Sequence, residues 1–161
     1  MPRLTSVRLI PALLVSVMAF TAAPQAQAPA APAPQALTYE MAVQVIDAAE
    51  AEARANKWNV TIVVTDAAGV PVVLRRLTGA SPRSYDIATR KAATVVASKL
   101  TTAEYGAQLK NKAVTEVPNG ITFAGGVPIM RGAEFLGAVG TSGVTAAQDE
   151  IISKSGAAVI K

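Results

Sequence analysis

Neither cysteine nor histidine occurs among the 161 residues of the chain. The first absence excludes disulfide bonds and cysteine nucleophiles, so an exported domain with this sequence must be held by its core or by association. The second absence excludes a Ser-His-Asp triad and any metal site that needs an imidazole ligand. The sequence therefore points away from most nucleophilic and transition-metal chemistry.

Aromatic residues and charge are also scarce, at 4% and 16% of the chain. The formal net charge of +4 falls to about +2 if Arg3 and Arg8 are removed with an N-terminal leader. No predicted helix carries a sustained basic stripe, and few rings are available to stack on bases. Nucleic acid is therefore not an expected partner.

Arg3 and Arg8 precede a twelve-residue apolar run at 9–20, which is the layout of a secretory signal peptide. A membrane span would need about twenty such residues. From 24 to 36 the chain contains only Pro, Ala and Gln, which cannot form a core. We expect a signal peptide at 1–28, a Pro/Ala-rich linker at 29–36 and one domain at 37–161, in a periplasmic or secreted protein without a stable membrane span. The alternative is an uncleaved N-terminal anchor.

Hydrophobic periodicity predicts the first half of this domain. Apolar residues at spacings of three and four follow Thr38, which is suited to cap a first helix. Two β-branched runs, 60–65 and 70–74, flank a turn and predict an antiparallel hairpin whose apolar character favours cover on both faces, by helices or by another subunit. A second helix is predicted from Ser84 to about Leu100, followed by a short third helix that Thr101 or Thr102 caps.

Six glycines fall within the nineteen residues 125–143, among Val, Ile, Phe and Leu. Such strands are approached closely at the backbone, and Gly132 is placed for a tight hairpin. Thr145 and Gln148 have the capping-box spacing that begins a last helix at about 146–160. The predicted order is helix, two strands, two helices, three short strands and helix, which favours a single α+β domain with about five antiparallel strands and flanking helices.

Several segments, in this order, resemble the GlcG/HbpS family: DAAG at 66–69, TGAS at 78–81, KAAT at 91–94, GGVPI at 125–129, GAVGTSG at 137–143 and QDE at 148–150. The resemblance covers residues 37–161. It implies a profilin-like α+β fold, a homo-oligomer that is commonly an octamer, and haem binding, with haem degradation or iron storage in some members. Many members have a histidine directly after the turn glycine, where this chain has Val70.

The resemblance makes haem a possible cofactor, but no imidazole exists to ligate it. Arginines suit the carboxylates of haem or a similar ligand, and Tyr85 and Met130 offer other axial donors. The family's haem-associated threonine best matches Thr101 or Thr102. The predicted ligand-binding residues are Arg75, Arg83, Tyr85, Arg90, Lys91, Thr101, Gly125, Gly126 and Met130, and no metal site is predicted.

Lys91 lies on the apolar face of the second helix, where a buried ammonium needs a partner. We expect Asp66 or Asp86 in that role. The alternative hypothesis is an enzyme, or an enzyme-assisting subunit, that acts on a small hydroxy or keto acid with Lys91 as acid, base or amine. A third hypothesis is a purely structural partner. Binding of a small ligand is favoured, because no catalytic pair is recognisable.

Overall fold

The computed structural model describes residues 36–161. The predicted signal peptide, and the predicted linker up to residue 35, lie outside the described residues. Four helices and four strands follow one another as α1 Tyr39–Ala55, β1 Thr61–Asp66, β2 Pro71–Arg76, α2 Arg83–Ser98, α3 Thr102–Lys110, β3 Gly126–Arg131, β4 Glu134–Ser142 and α4 Ala146–Ala157.

The strands form one antiparallel sheet in the order β2-β1-β4-β3. Thr61 pairs with Arg76 on one side and with Ser142 on the other, so β1 and β4 are the central strands. The β3–β4 register shifts between Ile129 and Met130. Because residues 134–142 form one continuous strand, the sheet has four strands where about five were expected, and the α+β class with flanking helices is confirmed.

Helices cover the two faces of the sheet differently. On the face that we call the α1/α4 face, Ile62, Val64 and Val139 join α1 and α4 residues in one apolar core. On the opposite face, the α2 face, Thr61 and Ala138 contact α2. The sheet thus separates an aliphatic layer from a layer that is richer in polar groups.

Three helices begin with a threonine cap, as the sequence predicts. Thr38, Thr101 and Thr145 each accept a hydrogen bond from a main-chain N–H of the first turn. The second helix begins at Arg83, and its N-cap residue, Pro82, supplies no side-chain hydrogen bond. It ends at Ser98 rather than Leu100, because Lys99 adopts a left-handed φ of 60°.

α2 lies unusually close to the sheet at Gly140 of β4. A Cβ atom on this residue would collide with the carbonyl oxygen of Ala88 and lie 2.8 Å from the main-chain nitrogen of Ala92. Glycine in a strand interior is destabilising unless a neighbour needs the space. The glycine-rich segment therefore serves close helix–sheet packing.

Within residues 36–161 no helix covers the outer part of the α2 face, so cover of this part of the first hairpin by another subunit stays a prediction. Leu74 of β2 is 39% exposed, and Val70 in the preceding turn is 58% exposed. The reason is position, since β2 is an edge strand and α2 lies over β1 and β4. An apolar surface remains open beside α2.

Candidate functional site

Lys91 lies at the end of the sheet, where α2 approaches α4. Its Nζ donates to the carboxylate Oδ2 of Asp149 and to the main-chain oxygen of Thr141, each at 2.8 Å. The ring of Phe123 lies 5.0 Å from the same nitrogen. Both members of the ion pair are buried, with side-chain exposures of 0% and 3%. The ammonium is therefore fully engaged by protein groups.

The backbone around this ion pair is fitted to it. Gly125 has a φ of +123°, and a Cβ there would collide with the Nζ of Lys91 and come within 2.8 Å of the Cβ of Asp149. Ser153 of α4 donates to the carbonyl oxygen of Gly125 and contacts the hydroxyl of Thr141, each at 2.8 Å. Any residue other than glycine at position 125 would displace the ammonium of Lys91.

A second contact fixes the start of β3. The N–H of Gly126 donates to the hydroxyl of Thr102 at 3.0 Å, and a Cβ on Gly126 would lie 2.7 Å from that threonine's methyl group. The two glycines thus bring β3 against α2 and α3. The N–H of Gly126 is used for packing rather than presented to an anion at this place.

Burial controls the electrostatics of the pair. It lowers the pKa of Lys91 below the ordinary value, although the hydrogen bond and charge of Asp149 act in the opposite direction. Burial likewise raises the pKa of Asp149, against the stabilising hydrogen bond from Lys91. The paired groups compensate each other in a site from which water is excluded.

The expected partners of Lys91 were wrong. Asp66 accepts from the N–H groups of Ala68 and Val70 in the β1–β2 turn, and Asp86 pairs at the surface with Arg90. The partner is instead Asp149, in the first turn of α4. Lys91 is wholly buried, and its amine is occupied by Asp149 and Thr141.

The predicted arginines do not converge. Arg75 points to the α1/α4 face and pairs with Asp47 and Glu50 of α1, at 2.6 and 2.7 Å. Arg83 and Arg90 lie on α2, across the sheet, and Arg90 donates to the main-chain oxygen of Asn119 at 3.0 Å. Arg75 is thus separated from the other two by the sheet.

The three candidate axial donors are also in different environments. The Thr101 hydroxyl is engaged with Glu104 in the capping box of α3. Met130 is partly buried on β3. Tyr85, in the first turn of α2, is 54% exposed, so its phenol is open to a ligand.

Tyr85 borders the uncovered apolar surface next to β2. Val96, eleven residues further along α2, lies close to Gly69 in the β1–β2 turn. A separation of eleven residues returns to the same side of an α-helix, so Tyr85 and Val96 both point toward β2. We call the surface formed by Val70, Leu74, Tyr85 and Val96 the α2–β2 strip.

Sequence reasoning missed Asp149, Thr141, Ser153 and Thr102 as the residues that organise the buried site. One signal was available for the first of them. A lysine on an apolar helix face needs a carboxylate, and an aspartate in the first turn of the last helix was a further candidate. The other three are ordinary hydroxyl residues whose roles depend on tertiary contacts.

Between residues 36 and 161 no three His, Cys, Asp or Glu side chains are grouped so that they could hold a metal ion. No helix in the same part of the chain is long and apolar enough to cross a membrane.

Comparison with known proteins identifies the family. Residues 37–158 match the family described as haem degrading protein HbpS-like. Protein GlcG of Escherichia coli K12 is 35% identical over 108 residues, which cover 66% of this chain and 81% of that protein.

Solved structures agree. A double mutant of Streptomyces reticuli HbpS has a TM-score of 0.74 at 31% identity, covering 87% of this chain and 98% of that one. The PduOC–haem complex has a TM-score of 0.67 at 28% identity, covering 79% and 96%. The fold, the ordered glycine-rich motifs and these matches together show that the chain belongs to the HbpS-like family.

Proposed function

We propose that this protein binds haem, or a similar planar ligand that carries carboxylates, on the α2–β2 strip. Family membership and the solved haem complex of PduOC support the ligand class. The observation that carries the location is Tyr85, a half-exposed phenol beside uncovered apolar side chains. The fold alone would not decide the ligand, and this surface supports the proposed location.

The donor set fits haem through a phenolate. The chain has no histidine and three tyrosines. Tyr105 is 1% exposed and its hydroxyl accepts from the N–H of Val117, while Tyr39 is exposed on α1, away from the strip. Tyrosine is an established ligand of haem iron, and Tyr85 is the phenol that adjoins an apolar surface.

The strip also supplies the rest of what a porphyrin needs. Val70 and Leu74 provide apolar area that a flat ring would remove from water, which is favourable at about 25 cal/mol per Å². Arg76 lies two residues after Leu74, on the same side of β2, and donates to the main-chain oxygen of Ala80 at 2.6 Å. Its remaining N–H groups suit a propionate.

Export and self-association are part of the same proposal. The leader-like sequence at 1–28 supports a periplasmic or secreted location. Exposed large apolar side chains elsewhere, including Ile151 of α4 and Val159 just after it, support a homo-oligomer, for which an octamer is our working size.

A hemin titration followed by difference absorption spectra tests this function. The wild-type protein should give a saturable Soret shift, and Tyr85→Phe should remove the phenolate signature and weaken binding. Tyr39→Phe is the matched control, because Tyr39 is 62% exposed but lies on α1. An absence of saturable binding, or equal effects of the two substitutions, would contradict the proposal. Mass measurement on the same samples gives the subunit number.

A further inference from the structure

A second surface feature lies at the opposite end of α2 from Val96. Where the N-terminus of α2 meets the end of β4, an open groove of about 370 Å³ is formed, with Arg83, Ser84, Ile87, Ser142 and Val144 among its walls. Neither the buried ion pair nor the α2–β2 strip uses this groove. It contains a cation, hydroxyl groups and an apolar wall.

Ser142 is the unusual member of the groove. The residue is only 6% exposed, and within residues 36–161 its hydroxyl has no hydrogen-bond partner. Ser84 beside it is satisfied, since its hydroxyl donates to the main-chain oxygen of Ser81 at 2.5 Å and lies 2.7 Å from the hydroxyl of Thr61. The residue is nearly covered while its hydroxyl is bonded to no protein group of the described chain, so this hydroxyl is a donor that the chain itself does not use.

Arg83 is unpaired in the same sense. Within the described part of the chain it has no carboxylate partner, whereas Arg54, Arg75, Arg90 and Arg131 each have one. The guanidinium lies at the start of α2, the helix that begins without a side-chain cap. A helix N-terminus carries partial positive charge that favours an anion.

We propose that this groove binds a small monocarboxylate with a short alkyl substituent. One guanidinium lines the groove and no acidic side chain does, which suits a single negative charge. The two oxygens of a carboxylate match the paired N–H groups of Arg83, and the Ser142 hydroxyl donates to one of them. Ile87 and Val144 form the apolar wall that the substituent contacts.

This site is independent of haem, because it uses none of the residues of the α2–β2 strip. Binding is measured by amide chemical-shift changes of the purified protein at constant ionic strength. The probes are sodium acetate, sodium 2-methylpropanoate and inorganic phosphate. Saturable shifts should appear at 81–87 and 142–144, with 2-methylpropanoate tighter than acetate and phosphate weakest.

Variants test the two donors. Arg83→Gln should weaken carboxylate binding about tenfold, the loss expected when one charge-assisted hydrogen bond is removed. Arg131→Gln, at an arginine that is paired with Glu134 in the β3–β4 hairpin, should leave binding unchanged. Ser142→Ala should weaken binding while the free energy of unfolding stays the same or rises, because the hydroxyl has no partner in the free protein.

Three results would overturn the proposal: no saturable shift at the groove with either carboxylate, equal effects of the two arginine substitutions, or phosphate binding more tightly than the carboxylates. The hemin titration gives a separate answer. Hemin binding without carboxylate binding refutes this inference alone, whereas the reverse refutes the haem function alone.

Discussion

The two faces of the sheet are stabilised by different chemistry. The α1/α4 face is packed with aliphatic side chains such as Ile46, Ile62 and Ile152, all fully buried. The α2 face buries hydroxyl groups, and at its end Lys91 reaches across to Asp149 of α4. An aliphatic layer needs only volume and shape, whereas a polar layer needs a partner for every group. The comparison explains why substitutions should have such different consequences on the two sides.

The largest loss of stability is expected when the buried Lys91–Asp149 ion pair is broken. Lys91→Met leaves Asp149 buried without its counter-ion and should reduce the free energy of unfolding by about 3–5 kcal/mol. Urea denaturation measures the loss. The double variant Lys91→Met/Asp149→Leu removes both charges and should recover most of the stability. A single variant as stable as wild type would contradict the role given to this pair.

On the aliphatic face, Ile62→Ala should lower the free energy of unfolding by about 2–5 kcal/mol, because it opens a cavity between β1 and the two helices. The same denaturation experiment applies. Val70→Ala is the control at an exposed position and should change stability by less than about 0.5 kcal/mol. Similar losses of unfolding free energy in the two variants would contradict the assignment of Ile62 to the core.

Two buried threonines, Thr94 and Thr65, differ in whether the hydroxyl has a hydrogen-bond partner. The Thr94 hydroxyl accepts from the N–H of Ile121 and donates to the main-chain oxygen of Arg90, so Thr94→Val should cost about 1–3 kcal/mol. The buried hydroxyl of Thr65 has no partner among residues 36–161, and Thr65→Val should be neutral or stabilising. Thermal unfolding of the two variants measures the difference in stability. A larger loss of stability in Thr65→Val than in Thr94→Val would contradict this expectation.

The smallest effect is expected at the surface of α1. Arg75→Gln should cost at most about 1 kcal/mol, because its ion pairs with Asp47 and Glu50 are partly exposed and screened. Burial alone would raise the pKa of Glu50, but hydrogen bonds from Arg75 and Arg54 hold this pKa below its ordinary value of 4.5.

A group with a depressed folded-state pKa stabilises the fold above its unfolded value and loses that contribution as the pH falls. The wild-type protein should therefore lose stability below about pH 4.5 more steeply than Arg75→Gln. Unfolding curves between neutral pH and pH 3 compare the two proteins. Parallel curves would show that Arg75 does not control Glu50.

Local patterns predicted most of the fold. The threonine caps at 38, 101 and 145 were readable because capping depends on the adjacent turn alone. The β1–β2 and β3–β4 hairpins were readable from apolar runs that flank turn residues. What could not be read was which strand lies at an edge, and so the exposure of Leu74, because strand order depends on contacts between distant segments.

The candidate site was less predictable for the same reason. Lys91 was correctly placed in the interior, but its partner is 58 residues away and is set by how α4 packs. Successive residues of a strand point to opposite faces of the sheet, so Arg75 and Arg76 lie on different faces. The face that β2 turns toward α2 decides which of the two adjoins the α2–β2 strip. The spacing of residues along the sequence shows which side chains share a face, but it does not show which face of the sheet they occupy.

In the proposed function, the uncovered part of the α2 face, and not the α1/α4 side, receives the ligand. Two-dimensional NMR of the protein with substoichiometric hemin tests this location directly, because the ferric centre broadens nearby amide signals. We expect broadening at residues 70–76 and 85–96, with α1 and α4 unaffected. Broadening centred on Ile151 of α4 and Val159 just after it, which are exposed apolar residues, would contradict it.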